Sequence, residues 1–163
     1  MKRFAFLAAA AAALMAVPGA AQAQQEGLYL GGGYTHYDGE DANVGGVTGR
    51  LGYRFHPNIA VEGEASTGVV DDDGVELDNS YGVYGVGIVP LSPSLEAFGR
   101  VGYHNTEVSD GVVSVEQDGV GYGGGLQWNV SDRFGIRGEY TRLEGDDDGV
   151  NTFGVGGVWK FGQ

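Results

Sequence analysis

The most constraining feature of the sequence is a repeated alternation of apolar and polar side chains with a period of two residues. In residues 47–55, Val47, Leu51, Tyr53 and Phe55 take odd positions, while the even positions hold threonine, arginine and glycine. An extended strand places every second side chain on one face, whereas a helix needs an apolar period of about 3.6 residues. Glycine, 32 of 163 residues, also interrupts every candidate helix after position 24. The pattern therefore predicts an all-β fold.

Eight strand-like segments follow one another, each bounded by turn-forming residues. Six have distinct apolar and polar faces; residues 28–37 and 80–89 are rich in valine and tyrosine, but their faces are not evident. The connections alternate between longer loops and short turns, in the order 38–43, 56–58, 70–79, 90–94, 107–118, 131–133 and 144–151. An even number of strands with short turns at one end and long loops at the other is typical of membrane barrels. We therefore predict an eight-stranded antiparallel up-and-down transmembrane β-barrel.

The first 23 residues have the features of an export signal. A basic start at Lys2 and Arg3 precedes an unbroken apolar run at 4–17, and Ala21-Gln22-Ala23 has the small-x-small pattern of a cleavage site. The apolar run is shorter than the roughly 20 residues that a membrane-spanning helix needs. Residues 1–23 are therefore predicted to be a secretory signal peptide, followed by a barrel domain at residues 24–163.

Composition excludes several functions. The absence of cysteine excludes disulfide frameworks and thiolate metal sites. A formal net charge of −13 argues against nucleic-acid binding, which requires clustered lysine and arginine. Of 22 acidic residues, 16 lie in the longer loops, which contain no lysine or arginine. Carboxylates suit calcium or magnesium, so the weak candidates for a cation site are Asp71, Asp72, Asp73, Asp146, Asp147 and Asp148. Simple solvation of these acidic turns is the alternative.

The polar faces of the strands indicate which side of the sheet is enclosed. They hold glycine, threonine and asparagine with few charges, unlike the many lysines and glutamates of a solvated surface. Such residues fit the narrow interior of an eight-stranded barrel. Because buried charges need partners, we predict an interior ion-pair network of Arg50, Arg54, Glu62, Glu64, Glu96, Arg100, Arg137, Glu139 and Lys160. This plugged interior argues against an ion-conducting pore; a soluble periplasmic lipocalin-like ligand-binding barrel is an alternative fold.

Aromatic residues recur at six-residue intervals on the apolar faces of the last three strands. At about 3.3 Å per residue and a tilt near 40°, six residues rise roughly 15 Å, close to the separation between the edges of a thin apolar band. We predict aromatic girdles formed by Tyr122, Trp128, Phe134, Tyr140, Phe153, Trp159 and Phe161. Core aromatics of a soluble sandwich are the alternative.

The chain resembles the small outer-membrane β-barrel proteins of the OmpA transmembrane domain and OmpX kind. The resemblance runs from residues 27–34 (GLYLGGGY) through 137–140 (RGEY) to the closing strand at 153–161. It implies a barrel in the outer membrane of a Gram-negative bacterium, with both termini on the periplasmic side and the long loops outside. It also implies outer-membrane lipid, lipopolysaccharide and the barrel assembly machinery as partners. We expect no cofactor, no nucleic-acid partner and a monomer.

One residue pair fits enzymatic chemistry in part. His104 and Thr106 are two residues apart, so a strand places both on one face, with Glu107 adjacent. The pair resembles the His-x-Ser arrangement of a lipid A deacylase, in which an imidazole activates a hydroxyl, but threonine replaces serine. We expect His104 to be a rim residue and the protein not to be an enzyme. Its predicted role is structural or interactive, in membrane integrity, adhesion or shielding; a lipid A modifying enzyme is the alternative.

Overall fold

The structure is a computed structural model that describes residues 26–38, 43–70, 76–109, 114–145 and 149–161. Across these residues the chain forms eight strands: β1 (Gly27–Asp38), β2 (Asn43–His56), β3 (Ile59–Val70), β4 (Glu76–Pro90), β5 (Leu95–Ser109), β6 (Ser114–Asn129), β7 (Phe134–Glu144) and β8 (Gly149–Lys160). The same residues contain no helix of the length and apolarity needed to cross a bilayer.

The eight strands close into one antiparallel barrel. Each strand pairs with its neighbours in the sequence, and β8 returns to pair with β1 from Tyr29↔Lys160 to Asp38↔Asn151. Closure leaves no strand with an unpaired edge. The predicted fold class, an eight-stranded up-and-down barrel, is confirmed. We call the end with the short connections the turn end, and the opposite end the loop end.

The strands extend further toward the loop end than the sequence indicated. The β5–β6 pairing continues to Ser109↔Ser114, so most of the loop predicted at 107–118 is strand. Acidic residues expected in loops lie instead on strands: Asp38, Glu76, Asp78, Glu107, Glu116, Asp118 and Glu144. These acids disfavour strands in isolation, which is why the prediction ended the strands early. Backbone pairing with an already formed neighbour overrides that preference.

A continuous belt of apolar side chains covers the outside of the barrel. The six predicted faces are correct, and the two unassigned ones are now defined: β1 points Leu30 and Tyr34 outward, and β4 points Tyr81 and Val83 outward, with Val83 61% exposed. Every strand contributes at least one large exposed apolar residue to the belt. Isolated water-soluble barrels do not expose such an area. The belt is therefore the surface that faces lipid.

Glycine on the inner faces makes room for inward aromatic rings. A side chain at Gly52 would overlap the ring of Tyr29, and a Cβ at Gly121 would lie 2.9 Å from the Cε1 of Tyr84. Both tyrosines are buried in the interior, with exposed fractions of 8% and 2%. The excess glycine thus allows large side chains to fill a barrel that is only wide enough for side chains.

Two glycines of adjacent strands provide a matched test of this packing. A Cβ at inward-facing Gly123 would lie 2.6 Å from the Cα of Thr141, whereas a Cβ at outward-facing Gly138 meets nothing within 4 Å. We expect Gly123→Ala to lower the free energy of unfolding by about 1–3 kcal/mol, the usual cost of overpacking. Gly138→Ala should leave it unchanged or raise it slightly. Urea titration of both variants in lipid vesicles measures the difference; equal stability of the two variants would contradict the packing argument.

Candidate functional site in the barrel interior

The centre of the lumen is filled by six charged side chains, which we call the central ion cluster: Arg50, Glu62, Glu64, Arg100, Arg137 and Glu139. They come from β2, β3, β5 and β7, so the cluster joins opposite walls of the barrel. The alternation of each strand turns these side chains inward, and the barrel register brings them to one depth. Three guanidinium groups face three carboxylates, and the cluster has no net charge.

Four members of the cluster form a closed ring of ion pairs. Arg100 contacts Glu64 at 2.8 Å and Glu139 at 3.0 Å, and Arg50 pairs with the same two carboxylates from the other side. Arg50 and Glu139 are 89 positions apart in the sequence. Arg50 and Glu64 are direct partners on the adjacent strands β2 and β3. The other three pairs of the ring join strands that share no backbone hydrogen bonds, so the ring crosses the lumen.

Glu62 is the most deeply placed carboxylate. Its side chain is 0% exposed and accepts hydrogen bonds from Arg137 Nη1 at 2.6 Å and from the Tyr29 hydroxyl at 2.7 Å. Arg50 Nε lies 3.4 Å from the second carboxylate oxygen. A carboxylate so far from water is stable as an anion only because these donors replace its hydration.

Aromatic rings cover two of the three guanidinium groups of the cluster. The Arg100 guanidinium lies 3.6 Å from the ring centroid of Tyr84, and that of Arg137 lies 3.7 Å from the centroid of Phe98. Stacking of this kind is worth up to about 2 kcal/mol when water is excluded.

A second polar layer lies nearer the turn end. Arg54 Nη2 donates to Glu96 Oε1 at 2.9 Å, and Gln127 Nε2 donates to Asn129 Oδ1 at 3.0 Å. Lys160, predicted to join the ion-pair network, instead donates from Nζ to the same Asn129 oxygen at 2.9 Å. Lys160 is the last residue of β8, so it lies beyond the depth of the central cluster, and the carboxylate of Glu96 acts on it only at longer range.

The interior nearer the loop end is lined by hydroxyl groups. Thr35, Thr48 and Ser66 form a chain of side-chain hydrogen bonds of 2.7 and 2.8 Å across β1, β2 and β3. His104 is also inside the barrel and only 6% exposed, so it is not the solvated rim residue that we expected. Thr106 lies on the same strand, but its side chain is outside the described part of the structure.

Several inward apolar residues were missed from the sequence. Tyr84, Val86 and Ile88 of β4 pack in the turn half of the lumen with Phe98 and Val158, although a polar inner face was expected throughout. Both faces of β4 are apolar, so its sequence shows no period-two contrast. The inward position of Phe98 could have been predicted from the sequence. Phe98 occupies an even position on β5, as do the inward-facing Glu96 and Arg100.

The seven predicted girdle aromatics all point outward, with exposed fractions from 37% to 56%. Phe134 and Trp159 are paired across β7 and β8 with ring centroids 6.4 Å apart, nearer the turn end. Tyr140 and Phe153 form a second pair 5.2 Å apart on the same two strands, nearer the loop end. The rings therefore occupy two levels of the lipid-facing belt.

The weak cation-site candidates at 71–73 and 146–148 lie outside the described residues. Within the ranges that are described, no three histidine or carboxylate side chains are grouped in a way that could hold a metal ion.

Comparison with known proteins agrees with this architecture. Residues 7–161 match the family described as outer membrane protein beta-barrel domain. The chain belongs to this family. No match was found among curated proteins.

Solved barrels give the same fold at low sequence identity. Ail, the attachment invasion locus protein of Yersinia pestis, solved with the heparin analogue sucrose octasulfate, is 22% identical with a TM-score of 0.60, and the match covers 83% of this chain and 99% of Ail. The N-terminal β-barrel domain of Pseudomonas aeruginosa OprF is 16% identical with a TM-score of 0.66, covering 84% and 98%. OprG of the same organism is 11% identical with a TM-score of 0.61, covering 86% and 98%.

The protein is therefore an integral protein of the outer membrane of a Gram-negative bacterium. The predicted resemblance to small outer-membrane barrels is confirmed. The soluble periplasmic barrel considered as an alternative is wrong, because the family is an outer-membrane one and the apolar faces point outward rather than into a ligand cavity.

A double-mutant cycle measures how strongly the cluster depends on pairing. Glu62→Gln removes a fully buried charge and leaves Arg137 without one of its two carboxylates. We expect a loss of about 3–5 kcal/mol in the free energy of unfolding. The double variant Glu62→Gln/Arg137→Gln should lose less than the sum of the two single variants, because the four charges that remain in the cluster are again balanced.

The exposed Glu144, which accepts a bond from Tyr122 at the loop end, provides the control. Glu144→Gln should change stability by less than about 0.5 kcal/mol. Additive single and double values at 62 and 137 would show that the two residues are not energetically coupled.

Proposed function

We propose that this protein is a plugged, non-conducting barrel whose role is structural or interactive: it supports the integrity of the outer membrane and presents an acidic surface outside it. The observation that carries the proposal is the central ion cluster, which joins opposite walls of the lumen. A solute would have to separate these pairs to pass. Breaking a buried pair costs several kcal/mol for each charge exposed.

The small spaces beside the central ion cluster and toward the turn end also support a closed lumen. On the β8–β1–β2 side, a cavity of about 20 Å³ lies beside Arg50, Arg137 and Glu139. A second, of about 30 Å³, lies toward the turn end. Each holds one or two water molecules by volume. Neither approaches the size of a permeating sugar or amino acid.

The outer surface supports lipid and lipopolysaccharide as partners. At the loop end, the Tyr140 hydroxyl donates to Asn151 at 2.8 Å, and Arg142 donates to the same oxygen at 2.9 Å. Polar groups thus sit directly above the aromatic and apolar belt, where lipid head groups meet acyl chains. We propose that the turn end faces the periplasm, as in other barrels with short turns at one end. We also propose that the barrel assembly machinery inserts the chain and that the folded protein is a monomer.

The kind of ligand named for Ail does not suit the outer surface proposed for this chain. That protein was solved with a polysulfated heparin analogue. In this chain the four longer loops predicted from the sequence hold 16 acidic residues and no lysine or arginine. Such a surface repels a polyanion. The proposed adhesive partner is therefore one that is not strongly acidic, and nucleic acid is not a proposed partner.

Permeability measurements test the plugged lumen. Liposomes containing the refolded protein should show no swelling in isotonic arabinose, and planar bilayers should show no stable conductance above that of protein-free membranes. A general porin inserted by the same procedure supplies the positive control, and gel mobility before and after boiling verifies that the barrel is folded. Steady conductance from the folded fraction would overturn the proposal.

The enzymatic alternative has its own test. The buried position of His104 inside the barrel keeps its imidazole away from lipid on the outer face, which supports a non-enzymatic role. We expect cells that overproduce the wild type and cells that overproduce His104→Ala to have the same lipid A acylation pattern by mass spectrometry. A pattern changed by the wild type and restored by His104→Ala would establish a lipid A modifying enzyme instead.

A further inference from the structure

The interior near the turn end contains a small polar cavity whose charges do not balance. The cavity has a volume of about 30 Å³, and its lining includes Arg54, Arg137, Lys160, Glu62 and Glu96. These five residues carry three positive charges and two negative ones. The rest of the wall is formed by Tyr29, Gln127 and apolar side chains, among them Val86 and Ile88 of β4. The surplus positive charge therefore lies in a partly dehydrated space, where an unpaired charge is costly.

The hydrogen bonds of the carboxylates do not compensate for this surplus. Glu62 is occupied by Arg137 and the Tyr29 hydroxyl. Glu96 accepts from Arg54 at 2.9 Å and weakly from Gln127 at 3.4 Å. Lys160 donates to the neutral Asn129. Arg137 and Arg54 thus each have a carboxylate, and the charge of Lys160 is the one left over within the cavity.

Arg54 adds a second, independent observation. The residue is only 4% exposed, and its Nε is buried with no hydrogen-bond partner among the described residues. A buried N–H of a guanidinium group is expected to have an acceptor. The cavity thus has a surplus positive charge, and one of the arginines that line it has an unused donor. A negatively charged acceptor beside these residues would satisfy both.

Other charged groups at this end lie outside the cavity. Asp132 and Arg133 are in the turn between β6 and β7, and both are exposed to solvent. Asp132 is near enough to interact with Lys160 electrostatically, but an exposed carboxylate is screened by water and does not line the cavity.

We propose that this cavity is a binding site for a single small monovalent anion of halide size, held by Arg54 and Lys160. The volume accommodates one or two water molecules, so it suits a monatomic anion and is too small for a phosphate ester, a sugar or a peptide. The anion neutralises the surplus charge and completes the polar layer at the turn end. It stabilises the folded barrel without opening a path through the central ion cluster.

Halide-dependent stability tests the proposal in solution. The full-length protein refolded in detergent micelles is unfolded by heat in sodium chloride, sodium bromide or sodium gluconate at equal ionic strength, gluconate being too large for the cavity. At a halide concentration ten times the dissociation constant, we expect a midpoint roughly 3–6 °C higher than in gluconate. Equal midpoints for the wild type in chloride and gluconate would overturn the site.

Two variants with the same change of charge separate binding from general salt effects. Lys160→Gln removes the surplus charge but leaves the Arg54–Glu96 pair in place, so it should abolish the halide-specific rise. Arg133→Gln, in the exposed turn at the same end, should keep the rise of the wild type. A rise that persists in Lys160→Gln would show that the halide acts elsewhere.

Crystals soaked in bromide supply a direct measurement. An anomalous peak between Arg54 and Lys160 supports the site. Density in the cavity without an anomalous peak, at a bromide concentration that stabilises the protein in solution, identifies water and rejects the proposal.

Discussion

Closure of the sheet is the constraint on which the rest of this protein depends. Pairing of β8 with β1 turns the two faces of one sheet into a sealed interior and a continuous exterior. Eight strands leave an interior only wide enough for side chains, so a charge placed there loses its water and must find an opposite charge. Arg50 does so with Glu139, on a strand that it does not adjoin. The central ion cluster thus fastens together walls that backbone hydrogen bonds cannot connect directly.

Closure also determines which side chains the outer surface must carry. Once polar and charged side chains fill the interior, the alternate positions of each strand have only lipid to face. On β4 this division is least visible, because Tyr81 and Tyr84 lie three residues apart on opposite faces. The outward ring belongs to the lipid belt, whereas the inward ring stacks on Arg100 and shields the cluster from water. The same residue type therefore serves two different environments within one strand.

Sequence alone predicts the barrel and the direction of most side chains, because alternation is a local property. It could not assign β4, where both faces are apolar, nor could it end the strands correctly, because pairing between neighbours carries the acidic residues of β5 and β6 into the sheet. Nor could the sequence predict which inward side chains pair with one another. Lys160 points inward, as the alternation predicted. Its hydrogen-bond partner depends on its depth in the barrel, and that depth is set by the register of β8 against its neighbours, which alternation does not give.

Depth also explains where the charges balance. The sequence supplies five basic and four acidic side chains to the polar faces, and phase alone does not say where the extra one lies. In the structure the central level has three of each sign and no net charge, and the surplus falls at Lys160, the last residue of β8. The cost of an uncompensated charge falls as water or a dissolved ion can reach it. Exact balance is therefore required at the centre, and an excess is tolerable only at the end of the barrel, where the missing negative charge can come from solution.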